Sequence, residues 1–276
     1  MKTQTQILLY DDYCPLCTWY SGMFVKCGLL KKENRMPFSK ADISILIAID
    51  IEKGKDEIPL YETGTGTTLY GIDALLEIVG QKFSLVKIVG NVKPVNWFLK
   101  KLYKLISYNR KVIVAKKCGH GSFDCSPGFN IFYRCLFMTL FLLFNSLMLL
   151  PLHKVIFSSL SFYHLGFFQL QAAHLMFVAV NCIIAVFLNP KKAIDYLGQI
   201  NMLAIITILL LTSFMFVIKM IALSEWIISV YLVFLTIVVV KEYFRRMKYI
   251  NFLAGQRNII AINLVCLVLF LGYIFH

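Results

Sequence analysis

The feature that most constrains this chain is a series of long apolar stretches in its C-terminal half. A bilayer contains no water to satisfy backbone N–H and C=O groups, so a segment that crosses it forms a helix. Crossing takes roughly 20 mainly apolar residues. The composition agrees with crossing, because 59% of the 276 residues are hydrophobic and the mean hydropathy is +0.72. We predict about five spans, at 132–150, 167–188, 200–221, 225–240 and 258–275.

The basic residues predict how these spans are oriented. The segment before the first span and the loops after the second and fourth spans are rich in Lys and Arg, whereas the other loops carry one Lys each and the C-terminal end none. Basic loops stay on the cytoplasmic side. We therefore expect an integral inner (plasma) membrane protein with a cytoplasmic N-terminal part and the C-terminus outside. The opening "MKTQTQILLY" lacks the apolar run of a cleaved signal peptide.

The N-terminal half begins with a strand and a helix that meet at a cysteine pair. "TQILLY" is a short apolar run typical of a buried strand, and "CPLCTWYSGMFVKCGLL" predicts a helix that ends near Gly28. Pro15 suits the first helical turn, where its missing N–H would be unpaired in any case. The helical spacing predicts a buried face made of Leu16, Trp19, Tyr20, Met23, Phe24 and Cys27.

This placement favours redox chemistry at Cys14 and Cys17. A helix N-terminus stabilises negative charge and so lowers the pKa of a thiol there. Cys14, nearer the tip, is the predicted attacking thiol, and the more buried Cys17 resolves the mixed disulfide. Asp11 and Asp12 act against a thiolate, since a nearby carboxylate disfavours a second negative charge. One of them is a candidate to shuttle the proton of Cys17, and the alternative role for both is turn formation and capping.

A hairpin and a second helix follow. "PLYET" and "TTLYG" predict two short strands joined by a Gly-containing turn, and "IDALLEIVG" predicts a helix that ends at Gly80. The order of strand, cysteine helix, strand, proline-led hairpin and helix resembles that of a thioredoxin-like domain. That resemblance implies a cis proline beside the cysteine pair, and Pro59 stands in the corresponding place. The alternative is an ordinary trans proline that opens an edge strand.

The segments "LLYDDYCPLC", "LYGIDALLEIVG" and "WFLKKLYKLISYNRKVI" together resemble the DCC-type family of bacterial thiol-disulfide oxidoreductase-like proteins. The family motif is Asp-x-x-Cys-x-x-Cys, which Asp11, Cys14 and Cys17 match. Family members usually carry Gly after the aspartate, where this chain has Asp12. The resemblance covers roughly residues 5–112 and implies a reaction class without a substrate.

A basic segment joins the two halves. It contains no acidic residue between Glu77 and Asp124, and a helical apolar stripe runs along it, formed by Val95, Phe98, Leu99, Leu102, Leu105 and Ile106. This pattern fits the last helix of the soluble domain, and it also fits a basic amphipathic helix against anionic lipid headgroups. Since a membrane-tethered chain already explains the charge, we expect no nucleic-acid partner.

Two further groups of polar residues are candidates for function. Before the first span, "CGHGSFDCSPG" contains four residues of ligand types, Cys118, His120, Asp124 and Cys125. They belong to a Gly-rich interfacial loop, to a metal site completed by the first cysteine pair, or to a second thiol pair that exchanges with the first. Within the spans, the polar residues predict either hydrogen bonds between helices or a ligand, quinone or proton site. These intramembrane residues are Asn145, His174, Asn181 and Asn201.

The sequence thus predicts an α/β thioredoxin-like domain (1–112), a juxtamembrane linker (113–131) and an all-α transmembrane helix bundle (132–276). The predicted function is a membrane-tethered thiol-disulfide oxidoreductase with Cys14, Cys17, Asp11 and Pro59 at its site. It would need no cofactor besides the redox-active disulfide. Its expected partners are a protein or small-molecule disulfide and membrane lipid. No nucleotide-binding or zinc-protease motif is present.

Two alternatives stay open. The first is a structural metal site formed by Cys14, Cys17, Cys118 and Cys125, although the spacing of the last two is not a usual zinc spacing. The second is a redox-inactive adaptor that uses the domain for binding alone.

Overall fold

The computed structural model describes residues 6–116, 128–221 and 223–275. The chain divides into two compact units, the first ending at Arg134 and the second beginning at Cys135. The first contains a small mixed sheet with surrounding helices, and the second is helical. At this level, the expectation of an α/β part followed by a helical membrane part is confirmed.

The first unit follows the predicted order of strand, cysteine helix, strand, hairpin and helix. Short 3₁₀ turns flank the second strand. The elements are β1 (Gln6–Tyr10), α1 (Pro15–Lys26), β2 (Arg35–Pro37), α2 (Ile43–Ala48), α3 (Ile51–Asp56), β3 (Pro59–Glu62), β4 (Thr68–Tyr70), α4 (Gly71–Gly80), α5 (Ser84–Gly90) and α6 (Lys93–Val114).

The sheet has the strand order β2-β1-β3-β4. β1 runs parallel to β2, with Leu9 opposite Met36, and antiparallel to β3, with Leu8 opposite Leu60. A parallel pair needs a crossover connection, which α1 provides. β1 is therefore an inner strand, and its C-terminal end leads directly into the cysteine pair.

Both faces of β1 are buried because successive side chains of a strand point to opposite faces. Leu8 and Tyr10 contribute to one apolar cluster, and Leu9 contributes to the other. The first cluster also contains Leu30, Ile58, Leu60, Ala74 and Ile78. The second contains Phe38, Ile45 and Ile49. Helices on both sides of this strand hold its end in place.

The predicted buried face of α1 is only partly right. Trp19 is 65% exposed and Cys27 is exposed, whereas the buried residues of this helix are Cys17 and Ser21. A serine is tolerated inside because the Ser21 hydroxyl donates to the Cys17 carbonyl (2.6 Å) and accepts from Arg35 Nε (3.0 Å). The apolar pattern could not reveal this face, because its inward positions are a thiol and a hydroxyl. Gly28 lies just beyond the helix with φ +67°, in the left-handed region that favours glycine, as its predicted role requires.

Half of the predicted apolar stripe of α6 is exposed, and the other half is buried or partly buried. Phe98, Leu102 and Ile106 are exposed, whereas Ser107 and Asn109 are buried. The Ser107 hydroxyl donates to the Asp56 carbonyl (2.5 Å), and Asn109 Nδ2 donates to the Leu105 carbonyl (2.8 Å). Hydrogen bonding makes the burial of these polar side chains possible.

The second unit is built from helices. They are α7 (Ile131–Val155), α8 (Phe167–Val186), α9 (Pro190–Met220), α10 (Glu225–Tyr249), α11 (Phe252–Gly255) and α12 (Arg257–Phe275). Four of them, α7 to α10, are long and apolar enough to cross a membrane. This confirms the expectation of membrane-length helices for four of the five predicted spans. The fifth, α12, is apolar but shorter, so its crossing stays a prediction.

The helices extend beyond the apolar stretches that predicted them. α9 begins at Pro190 rather than near 200, and α10 ends at Tyr249 rather than near 240. Hydropathy marks only the apolar part of a helix. The polar end of α10 is held by ion pairs from Glu242 to Arg245 (2.6 Å) and Arg246 (2.8 Å), and buried Arg246 also donates to Gln199 Oε1 (2.7 Å).

Candidate functional site

Cys14 and Cys17 lie where β1 passes into α1, as predicted. Cys14 is the N-cap residue: its backbone is extended, and its carbonyl accepts the first helical hydrogen bond from Thr18 N–H at 3.0 Å. Pro15 occupies the first helical position. Cys17 lies in the first helical turn, and both cysteines are free thiols. The pair is therefore placed at the positive end of the helix dipole.

Asp11 shapes the turn that carries Cys14. Its Oδ1 accepts hydrogen bonds from the backbone N–H groups of Tyr13 (3.0 Å) and Cys14 (3.2 Å). This geometry fits the turn and capping role. Burial raises the pKa of Asp11, against the opposing effects of Arg110 and these two N–H groups. A role as proton shuttle stays a prediction. Asp12 is exposed and accepts from the Ser39 hydroxyl at 2.7 Å.

The residue that sequence reasoning missed is Arg110. It lies on α6, and its Nη1 is 3.6 Å from Cys17 Sγ, while its Nη2 donates to the Lys55 carbonyl at 2.9 Å. Sequence analysis counted Arg110 only as one charge of a basic segment. The sequence spacing could have pointed to Arg110. Tyr103, Ser107 and Arg110 stand at positions i, i+4 and i+7, so they share one face of α6.

The two thiols differ in acidity. A hydrogen bond from the Cys17 thiol lowers the pKa of Cys14 to about 6, and the charge of Arg110 acts in the same direction. The same hydrogen bond, together with burial, raises the pKa of Cys17. At neutral pH, Cys14 is therefore the thiolate and Cys17 the thiol. This order of acidity fits the predicted roles of an attacking Cys14 and a resolving Cys17, which stay predictions.

The predicted difference in exposure is not present. Cys14 and Cys17 are each 5% exposed, so Cys14 is not the more accessible residue. What separates the two is chiefly the hydrogen bond between them, which lowers the pKa of Cys14 and raises the pKa of Cys17. Exposure follows from tertiary packing and was not encoded in the local pattern.

Two tyrosines complete the surroundings of Cys17. Tyr20 of α1 is hydrogen-bonded to the Cys17 thiol, and burial raises the pKa of Tyr20, so it stays a neutral donor. The hydroxyl of Tyr103 accepts the Ile58 N–H at 2.9 Å, and burial raises its pKa too. The charge of Arg110 thus acts on the dithiol from among these two neutral tyrosines, and the carboxyl group of Asp11 acts in the opposite direction.

Pro59 does not have the predicted cis geometry. Among the described residues every peptide bond is trans, so the cis expectation is wrong and the trans alternative holds. Pro59 is the first residue of β3, opposite Tyr70 of β4. β3 is an inner strand rather than an edge strand, and a proline is tolerated at its first position. A role for Pro59 at the site stays a prediction.

The alternative of a metal site needs four cysteines, of which the structure describes only Cys14 and Cys17. Cys118, His120, Asp124 and Cys125 lie outside the described residues. Within the described ranges, no three His, Cys, Asp or Glu side chains come together as metal ligands. The four-cysteine site is therefore untested.

The intramembrane polar residues divide into two groups. Asn181 Oδ1 accepts from the Tyr196 hydroxyl (2.5 Å), and Asn201 Nδ2 reaches the Met138 carbonyl at 3.4 Å. These two fit the prediction of hydrogen bonds between helices. Asn145 and His174 Nε2, in contrast, are buried and lack a hydrogen-bond partner among the described residues.

Comparison with models of protein families, with curated proteins and with solved structures gives no match to this chain. What the site does is therefore inferred from its own geometry.

Proposed function

We propose that this chain is a membrane-tethered thiol-disulfide oxidoreductase of the DCC type, acting through the Cys14–Cys17 dithiol on the cytoplasmic face. The observation that carries the proposal is the pairing of a Cys14 of lowered pKa with a Cys17 whose sulfur lies 3.6 Å from the guanidinium of Arg110. A structural cysteine pair needs no such half-buried cation. Perturbed acidity beside a specific charge partner is typical of reactive cysteines.

The proposed reaction has two steps. The Cys14 thiolate attacks one sulfur of a substrate disulfide, which forms a mixed disulfide and releases the first substrate thiolate. Cys17 then loses its proton and attacks Cys14 Sγ, which forms the Cys14–Cys17 disulfide and releases the second substrate thiol. The substrate is reduced by two electrons and the dithiol is oxidised by two.

The surroundings of Cys17 suit its delayed ionisation. While Cys14 is a thiolate, the hydrogen bond between the two sulfurs keeps the proton on Cys17. Once Cys14 is part of the mixed disulfide, it has no thiolate charge that accepts the hydrogen bond of the Cys17 thiol, so Cys17 can lose its proton. Arg110 and the hydroxyl of Tyr20 then stabilise the new thiolate on Cys17. The arrangement therefore orders the two ionisations.

A thioredoxin-like fold is part of this proposal. It is supported by the order β1, α1, β2, hairpin and α4, and by the cysteine pair at the start of the first helix. Resemblance to the DCC-type family points in the same direction. The cytosol keeps thiols reduced, so the dithiol is the expected resting form and a protein or small-molecule disulfide is the expected substrate.

Lipid contact by the first unit is a further part of the proposal. Trp97, Phe98, Leu102 and Ile106 expose an apolar surface on α6, and Lys100 and Lys101 lie beside it. Such a surface suits the boundary of an anionic membrane. Brominated lipid should quench the fluorescence of a variant that retains only Trp97. Absence of quenching would remove lipid contact from the proposal.

The deciding test is a redox titration of the full chain in detergent, with alkylation of each cysteine read by mass. We expect one reversible two-electron transition that protects Cys14 and Cys17 together, while exposed Cys27 stays alkylated throughout. If the pair shows no transition, the chain is not an oxidoreductase of this kind. Metal bound to the purified protein would then favour the four-cysteine site.

A further inference from the structure

A cavity of about 220 Å³ lies among the helices of the second unit. Most of its walls are apolar, including Phe177 and Phe270. Three lining side chains carry amide or imidazole groups: Asn145, His174 and Asn263. An engineered cavity of about 150 Å³ already holds benzene, so this one is large enough for a substituted ring.

The polar atoms in this wall lack partners. Asn145 is 1% exposed, and neither its Oδ1 nor its Nδ2 has a hydrogen bond to any described residue. The same holds for His174 Nε2 and for Oδ1 of Asn263, which is 4% exposed. A buried polar atom without a partner costs about 1–3 kcal/mol. Three residues that line one cavity thus carry four polar atoms whose hydrogen bonds a ligand could supply.

The hydrogen bonds of its neighbours determine which atom of the Asn263 amide is the oxygen and which is the nitrogen. Asn181 Nδ2 donates to the Phe177 carbonyl (2.8 Å), so Asn181 Oδ1 is the acceptor for the Tyr196 hydroxyl. That hydroxyl must then accept from Asn263 Nδ2, at 2.8 Å. Asn263 Nδ2 also donates to the Tyr243 hydroxyl, at 3.1 Å. Asn263 Oδ1 is consequently an acceptor without a donor among the described residues, on a residue that lines the cavity.

We propose that this cavity binds a quinone, in its oxidised or reduced form, through Asn145, His174 and Asn263. The ring and tail of a quinone match the apolar walls. Its carbonyl oxygens accept from Asn145 Nδ2 or the imidazole, and the hydroxyls of the quinol donate to the amide oxygens of Asn145 and Asn263. A carboxamide offers both a donor and an acceptor, so one wall serves both oxidation states. The proposal does not depend on the cysteine chemistry.

The occupant is tested with the full chain in lipid nanodiscs and two matched probes. Decylubiquinone should raise the Tm with a saturable concentration dependence, as a ligand of the folded state does. Decylbenzene has a similar tail and a ring without oxygens, and it should bind about tenfold more weakly, since a hydrogen bond contributes about 1 kcal/mol or more. Equal binding of both probes would assign the cavity to apolar chains and overturn the proposal.

The wall is tested with Asn145→Leu, and Asn201→Leu serves as the matched control. Asn201 is also an intramembrane asparagine, but it does not line the cavity. Asn145→Leu should bind decylubiquinone about tenfold more weakly, while its Tm without ligand is at least that of the wild type, because an unpaired buried amide has been removed. The control should bind as the wild type does. Unchanged binding in both Asn145→Leu and His174→Phe would exclude the proposed site.

Discussion

Nη1 of Arg110 lies 3.6 Å from Sγ of Cys17, although the two residues are 93 positions apart in the chain. The contact joins the last helix of the first unit to the first. It places a positive charge behind the dithiol, on the side of the resolving cysteine. A guanidinium stays charged at every relevant pH, so it favours the thiolate form of both sulfurs.

Replacing Arg110 by Leu should reduce the reactivity of the dithiol. An opposite charge within about 4–6 Å lowers a pKa by about 1–3 units. Without it, the pKa of Cys14 should rise, and the alkylation rate of Cys14 below its pKa should fall about tenfold. Lys111→Leu is the matched control, because Lys111 is the exposed neighbour on the same helix. Equal rates in the two variants would mean that Arg110 has a structural role alone.

The pH profile of the wild type tests the acidity of Cys14 directly. Its pKa, lowered to about 6, lies below the usual value of about 8.5. Because the thiolate is the reactive form, the alkylation rate should rise with pH through about 6 and level off near pH 7. Iodoacetamide labelling followed by mass spectrometry gives the profile. A rate that still rises steeply between pH 7.5 and 9 would contradict the assignment of the attacking thiol.

Two substitutions of Asp11 should have different effects. Asp11→Asn keeps an oxygen acceptor for the N–H groups of Tyr13 and Cys14 but removes a charge that raises the pKa of Cys14. It should therefore lower that pKa and leave the fold intact. Asp11→Ala removes the acceptor and should cost about 1 kcal/mol of stability, as the loss of a cap does. Thermal unfolding and the alkylation profile separate the two effects, and a shared loss of stability would mean that the charge itself is needed.

Much of the first unit was predictable from local pattern. The strand before Cys14, the helix after it and the hairpin at Pro59 follow from short-range signals such as alternation, proline and glycine. The inward faces of α1 and α6 did not follow, because buried Ser21, Ser107 and Asn109 look polar in sequence. Hydrogen bonds that satisfy them exist only in the folded chain.

In the candidate site, too, the residues that are close in sequence were predictable and the distant ones were not. Cys14, Cys17 and Asp11 lie within seven residues of one another, and local chemistry was enough to select them. Arg110 reaches Cys17 only through the packing of α6. The trans state of Pro59 is the ordinary state of an X–Pro bond, and only the resemblance to a thioredoxin-like domain argued for the cis state. Long-range partners carry no local signal, so one sequence alone could not identify the guanidinium.

Single cysteine variants separate the attacking from the resolving role. Cys14→Ser should abolish disulfide reduction, because the thiolate that attacks is lost. Cys17→Ser should leave Cys14 able to attack but unable to release the product, so mixed disulfides should accumulate. Non-reducing electrophoresis with mass spectrometry detects them. A fully active Cys14→Ser variant would eliminate the mechanism, whereas trapping through Cys14→Ser instead of Cys17→Ser would reverse the two roles.

The side of the membrane on which the chain ends depends on α12. If α7 to α10 and the shorter α12 all cross, a cytoplasmic N-terminus puts the C-terminus outside. If only the four long helices cross, both termini share one side. The basic end of α10, with Arg245, Arg246 and Lys248, favours a cytoplasmic position just before α12. We therefore expect a C-terminal phosphatase fusion to be active and one placed after Tyr249 to be inactive. Two inactive fusions would show that α12 does not cross, and two active fusions would place the end of α10 outside, against the orientation inferred from the basic loops.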